Sequence, residues 1–238
     1  MSSSTPVVAL HSSGASSRQW QALAGMLRPH HEVHALDLHG HGSHAAWPGP
    51  VPMRLADEAA PVERLLEQLG GAHLIGHSYG AAVALELASR RPALARSLVA
   101  CEPVLFCLLI GDASSRREVQ AVIVRAGAMH QHMAQGQPEA AARHFVDLWS
   151  GPGTWAALPT ERQQGAAARM PAVMQQFGAL PGAQHVTFAP MGHMGPVTHA
   201  SLFNHRVAGF LQGLAARPAR KSRPSHPTPV RPAPCTPP

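Results

Sequence analysis

Ser78 stands in Gly76-His77-Ser78-Tyr79-Gly80, between an apolar strand pattern at Ala72–Ile75 and an apolar helix pattern at Ala81–Arg90. A serine on so sharp a strand-to-helix turn presents its hydroxyl at the rim of a sheet, where it can attack a carbonyl carbon. The two glycines matter sterically. Without a Cβ at 76 and 80, strand and helix can close around the serine. The backbone N–H of Tyr79, at the start of the helix, then points to where an oxyanion would form. A serine hydroxyl is a weak nucleophile and needs a base within hydrogen-bond reach. With seventeen histidines in the chain, context has to select it. His193 follows a short strand pattern at Val186–Ala189 and is preceded by Gly192, so it is the expected base. His77, beside the serine, is expected to orient the turn or line the pocket.

Other segments follow in a consistent order. Val7-Val8-Ala9-Leu10-His11-Ser12-Ser13-Gly14 reads as a strand and the loop after it. Asp37-Leu38-His39-Gly40-His41-Gly42-Ser43 reads as a glycine-rich turn, and Met191-Gly192-His193-Met194 as a loop carrying the imidazole. Together with the serine turn, these motifs resemble those of the α/β-hydrolases. The resemblance implies an α/β fold with a doubly wound, mostly parallel sheet and a helical lid. It implies oxyanion donors at the N–H groups of Ser13 and Tyr79, with Ser12 standing where the family commonly has glycine. It also implies the chain order nucleophile, acid, histidine.

The acid departs from that pattern. The segment ahead of His193 that should carry a strand and an acidic loop reads as helix, so the sheet is expected to be one strand short. Glu102, just after the strand pattern Ser97–Ala100, is the expected acid, and the order Ser78, Glu102, His193 fits. The competing reading is that Glu102 only ties down the entrance to the helical insertion, with Pro103 setting the turn. Asp147 and Glu161 rank below it, and Asp37 belongs to a structural turn. Adjacent strands lie about 4.8 Å apart, so a lost strand would also displace His193 from Ser78 unless another segment fills the gap.

Short strand patterns at Val7–Leu10, Val33–Leu36, Ala72–Ile75 and Ser97–Ala100 alternate with helical patterns at Arg18–Leu27, Leu55–Leu69 and Ala81–Arg90. This alternation predicts a parallel sheet with helices on both faces and active groups at the carboxyl ends of the strands. Pro61 is expected to kink or shorten the second helix. The expected organisation is a core over 1–102, a helical lid over 103–171, the rest of the core over 172–216 and a disordered Pro/Arg-rich tail over 217–238. Within the lid, helices are expected at Arg116–Ala134, Pro138–Trp149 and Thr160–Met170. A closing helix is expected at Ser201–Leu214. His11, His77, Phe106, Trp149 and Met194 are the expected substrate contacts. Trp20 is expected in the core, and His30 and His31 on the surface.

The net charge of +6 is unevenly placed. Arg217, Arg220, Lys221, Arg223 and Arg231 lie in the tail, leaving about +1 for the rest, which argues against a nucleic-acid enzyme. Cys101, Cys107 and Cys235 form no disulfide framework, and no apolar run is long enough to span a membrane, so the cytoplasm is expected. The histidines of the 39–44 turn are not expected to bind a metal, and no cofactor is implied. The expected partner is a small-molecule acyl substrate; the sequence sets no oligomeric state. The leading expectation is a serine hydrolase cleaving a small ester, thioester or related acyl substrate through an acyl-enzyme. The alternatives are a catalytically impaired binding module on the same scaffold, or a C–C bond hydrolase or lyase.

Overall fold

The computed structural model describes residues 4–50, 52–105 and 116–179. The expected strand Val186–Ala189, the closing helix, the tail, Phe106, His193 and Met194 lie outside them. Four strands, β1 (Val7–Leu10), β2 (Val33–Leu36), β3 (Ala72–His77) and β4 (Ala95–Cys101), form one sheet in the order β2-β1-β3-β4. All neighbouring pairs are parallel. The shortened, doubly wound α/β sheet is therefore what the described residues contain.

Each strand face has its own helices. Along β1, Val7 and Ala9 point to one side and pack with Trp20, Leu23 and Leu27. The last two belong to α1 (Gln21–Leu27), which follows a 3-10 turn at Ser17–Trp20. Val8 and Leu10 point to the other side, towards α2 (Leu55–Gln68) and α3 (Tyr79–Arg90). This is the two-residue alternation of a strand buried on both faces. Trp20 is buried in the core as expected. His31 is buried as well, contrary to the surface position expected for it, because its Nδ1 pairs with the Thr5 carbonyl at 2.8 Å. Pro61 does not interrupt α2. Leu55, Ala59, Val62 and Leu66 bury one continuous stripe, which outweighs the single lost N–H bond.

After β4 the chain builds a helical layer from α4 (Arg116–Ala134), α5 (Pro138–Ser150), α6 (Thr154–Ala157) and α7 (Thr160–Gly178). It has its own apolar centre, including Met129, Ala141, Ala142, Ala167, Met170 and Val173. The last helix corrects the expectation that it would stop at Met170. It runs through Pro171 to Gly178. The buried Ala167, Met170 and Val173 hold both sides of the proline in one packed face. Ala172 meets Gly40 so closely that a Cβ on that glycine would come within 2.5 Å of it.

Candidate active site

The strand-to-helix turn is as tight as its glycines require. A Cβ on Gly76 would lie 2.5 Å from the Ala81 Cα and from the Gly80 carbonyl oxygen. One on Gly80 would lie 2.5 Å from the His11 carbonyl oxygen. Ser78, between them, takes φ 55° and ψ −117°. Such a conformation costs about 1–3 kcal/mol and persists only when the surroundings enforce it. Here the Ser78 N–H donates to the Cys101 carbonyl at 2.9 Å, tying the turn to the end of β4. Glu102 follows directly and is the other non-glycine with positive φ among the described residues, at 44°. Register sets His77 beside Cys101, so the two strained residues leave adjacent strand ends.

The loop after β1 is held by buried polar side chains. The Ser12 N–H and hydroxyl both donate to Gln19 Oε1, each at 3.1 Å. That fixes the orientation of the Gln19 amide, whose Nε2 donates to His77 Nδ1 at 3.1 Å. One side chain thus bridges the loop to the residue before Ser78. The Gly14 N–H donates to His41 Nε2 at 3.0 Å, and the Leu38 N–H to His11 Nε2 at 3.0 Å. Both imidazoles accept on Nε2, so their protons sit on Nδ1 and are donated to the carbonyls of His39 and Ser12. Burial pushes His11 down to about 4. It also lowers the basicity of His41, against the opposing pull of the His39 carbonyl, and the Arg169 charge lowers it further.

With Ser12, Gly14 and Ala15 N–H all engaged, the Ser13 N–H has no acceptor among the described residues. The Tyr79 N–H, as the first of its helix, has no intrahelical acceptor either. Asp37 keeps to its turn. Burial alone would raise its carboxyl, but donors from Ser17 and Ser43 outweigh that and hold it at about 2.

A cavity of about 330 Å³ opens over Ser78. Ser13, Tyr79 and Trp149 are in its wall. His11 and His77 are not. Both are fully buried behind the wall, where they hold backbone and Gln19, so the expectation that they touch substrate is corrected. Glu102 is outside the wall too, at the end of the neighbouring strand. Asp147 is occupied by the Trp155 N–H at 2.9 Å, and Glu161 is exposed in the first turn of α7. The roof comes from α5 and α7 and includes Phe145, Arg162, Arg169 and Gln176.

Sequence reasoning missed Gln19, His41 and the two arginines. Gln19 and His41 carry no local signal. Arg162, Arg169 and Gln176 do, because a seven-residue interval returns to nearly the same helix face.

Beneath the turn, Tyr79 is buried against Glu58 of α2. Burial, opposed by the His39 N–H at 2.9 Å, raises the Glu58 carboxyl. The Tyr79 hydroxyl and Gln176 amide lie near it, yet neither closes a hydrogen bond of good geometry. Among the described residues no group of three or more His, Cys, Asp or Glu side chains could hold a metal ion. No described helix is long and apolar enough to cross a membrane.

A parallel sheet, a strained serine at a strand end and a helical layer above it define an α/β-hydrolase architecture. Residues 7–221 match the model of the alpha/beta hydrolase family, and the chain belongs to that family. Among curated relatives, it is 29% identical over 241 residues to a dihydrolipoyllysine-residue acetyltransferase component of an acetoin cleaving system from Cupriavidus necator, covering 87% of this chain and 63% of that protein. It is 40% identical over 90 residues to a putative carbamate hydrolase, RutD, of Pantoea ananatis, covering 36% of this chain and 32% of that one. The chain thus spans less than two thirds of either relative. Among solved structures, MenH from S. aureus superposes with a TM-score of 0.64 at 15% identity, over 90% of this chain and 95% of its own. A hydrolase from Pseudomonas aeruginosa PA01 does so at 0.60 and 22%, over 87% and 90%. At those identities the likeness is one of fold.

Proposed function

We propose that this chain is a serine hydrolase that cleaves a small ester, thioester or related acyl substrate through an acyl-enzyme. The observation that carries this reading is the strained Ser78 in the wall of a cavity that Ser13 and Tyr79 also line. In the first step the Ser78 Oγ–carbonyl carbon bond forms while its proton passes to His193. The carbonyl oxygen, now negative, takes the N–H groups of Ser13 and Tyr79; one such donor typically contributes about 3 kcal/mol to the transition state. The carbon–leaving-group bond then breaks and His193 returns the proton to the departing oxygen or sulfur. Water repeats the sequence on the acyl-enzyme. Glu102 is the group that would hold the imidazolium, and α4–α7 act as the lid. The buried Cys101 thiol, pushed up to about 12 by burial and by Glu102, suits a reducing compartment such as the cytoplasm.

The test is hydrolysis of 4-nitrophenyl acetate together with labelling by a fluorophosphonate. Ser78→Ala is expected to lose turnover by about 10³-fold or more and all labelling. Equal rates in wild type and variant overturn the reading. Full turnover in folded Glu102→Gln removes Glu102 as the acid. A cavity that never labels belongs to a binding module.

A further inference from the structure

The roof of the cavity carries positive charge, and no Asp or Glu shares its wall among the described residues. Arg162, Arg169 and Gln176 follow one another at seven-residue intervals on α7, and all three line the cavity. Two helical turns, about 10.5 Å, separate neighbours in this row. Exposure falls along it: Arg162 is exposed, Arg169 half-buried and Gln176 buried. Among the described residues, the Nε of Arg169 is buried without a hydrogen-bond partner, and so are both polar ends of the Gln176 amide. The charge that lowers Arg169 besides its burial is Arg162, another cation. Gly165 lets the guanidinium lie back on the helix, since a Cβ there would sit 3.3 Å from Arg169 Nη1.

A half-buried guanidinium whose inner N–H is unsatisfied is costly unless something supplies an acceptor. Its planar fork matches a carboxylate, which can take two parallel N–H bonds. We propose that the substrate of this cavity carries a carboxylate remote from its scissile carbonyl, and that Arg169 binds it, with Arg162 attracting it at the mouth. This deepens the hydrolase reading and rests on it for the scissile bond, but the carboxylate site itself is testable without turnover. The rest of the wall, including Phe145, Trp149, Val173 and Phe177, suits a short apolar chain between carboxylate and carbonyl.

Binding is measured first, by calorimetry on the Ser78→Ala protein with monomethyl glutarate and its neutral counterpart methyl butyrate. The carboxylate ester is expected to bind more tightly. Adding Arg169→Met is expected to weaken it by roughly 10- to 100-fold, with partial recovery in Arg169→Lys. Equal affinity for the two esters, or indifference to Arg169→Met in a folded protein, overturns the proposal. Turnover then separates it from the hydrolase reading. With Ser78 intact, mono-4-nitrophenyl glutarate places the carboxylate in the acyl chain and 4-acetoxybenzoate places it in the leaving group. The preferred arm over its neutral analogue, 4-nitrophenyl butyrate or phenyl acetate, tells which half carries it, and Arg169→Met is expected to erase that preference. Arg169-dependent binding with no cleavage and no fluorophosphonate labelling keeps the carboxylate site and rejects the hydrolase. Cleavage with no dependence on Arg169 does the opposite.

Discussion

The floor and the roof of the cavity treat polar groups in opposite ways. In the floor, Ser12, Gly14 and Leu38 each find a side-chain acceptor, and Gln19, His11 and His41 use both ends of their side chains. Among the N–H groups of the loop after β1, the one on Ser13 is left without an acceptor among the described residues, and beneath the turn the Tyr79 hydroxyl and Glu58 Oε2 lack partners as well. In the roof, Arg169 and Gln176 keep buried polar atoms without partners. A loop after β1 so firmly pinned fixes the geometry in advance, which chemistry requires. A roof so unsatisfied waits for a ligand to complete it, which selectivity requires. On the proposed reading, the difference would set reaction type and substrate choice in separate layers of this fold.

The largest effect should come from breaking the floor sterically. Gly80→Ala drives a Cβ into the carbonyl oxygens of Leu10 and His11, the backbone of the central strand and its loop. No side chain can yield there, so a loss above about 4 kcal/mol, or failure to fold, is expected in urea titration. The same change at Gly127, on α4 of the helical layer, meets nothing within 4 Å and should shift stability by less than about 1 kcal/mol. If Gly80→Ala unfolds no more readily than Gly127→Ala, the floor is not the rigid element.

Next comes acid. His11 is held near 4 by burial, and His41 is lowered as well. A histidine whose folded value lies below its unfolded one makes the unfolded chain bind more protons between the two. Its contribution is therefore complete above about pH 6.5, falls as pH drops, and is gone below about 4. For His11 the expected loss is about 3 kcal/mol. Unfolding midpoints measured from pH 7 to pH 4 check it, and His11→Gln should flatten that slope. A midpoint independent of pH in this window would mean that the floor imidazoles are not held neutral.

Why the floor was legible and the roof was not follows from the range of the interactions. Strands β1–β4 and the turn at Ser78 are written in local patterns: apolar runs, glycine spacing and alternation. The pins of the floor, Gln19 to His77 and His41 to Gly14, join residues 58 and 27 apart and leave no local trace. His11 and His77 looked like pocket residues because they flank the reactive segments, yet burial turned both inward. In α7 the proline at 171 misled about the helix end, because local propensity yielded to packing by Ala167, Met170 and Val173. The arginine row was readable as a seven-residue interval, but spacing alone does not say which side of a helix covers a cavity.

Gln19→Leu tests the floor at a smaller scale. It strips an acceptor from Ser12 and a donor from His77 while leaving the apolar contacts of the 3-10 turn. A loss of about 1–3 kcal/mol is expected from the stranded Ser12 N–H. If the hydrolase reading holds, kcat should fall more than KM rises, because the bridge positions Ser78 and the oxyanion loop rather than touching substrate. Gln19→Glu separates the two ends. A carboxylate still accepts from Ser12 but cannot donate to His77 Nδ1, so stability should recover more than turnover.

The smallest effect should have the opposite sign. Arg169→Met removes a half-buried cation with an unsatisfied N–H and a like charge as its neighbour, and replaces it with an apolar chain of similar reach. In the unliganded protein, a rise in melting temperature of roughly 1–3 °C is expected by calorimetry. Lowering salt should widen the gap, since repulsion between Arg162 and Arg169 is then less screened. A fold keeps such a residue at a cost in stability only when it serves binding, so the stabilised variant should be the one that loses the carboxylate ester. A fall in melting temperature in Arg169→Met would place that guanidinium with the satisfied groups of the floor, and the contrast between the two layers would vanish.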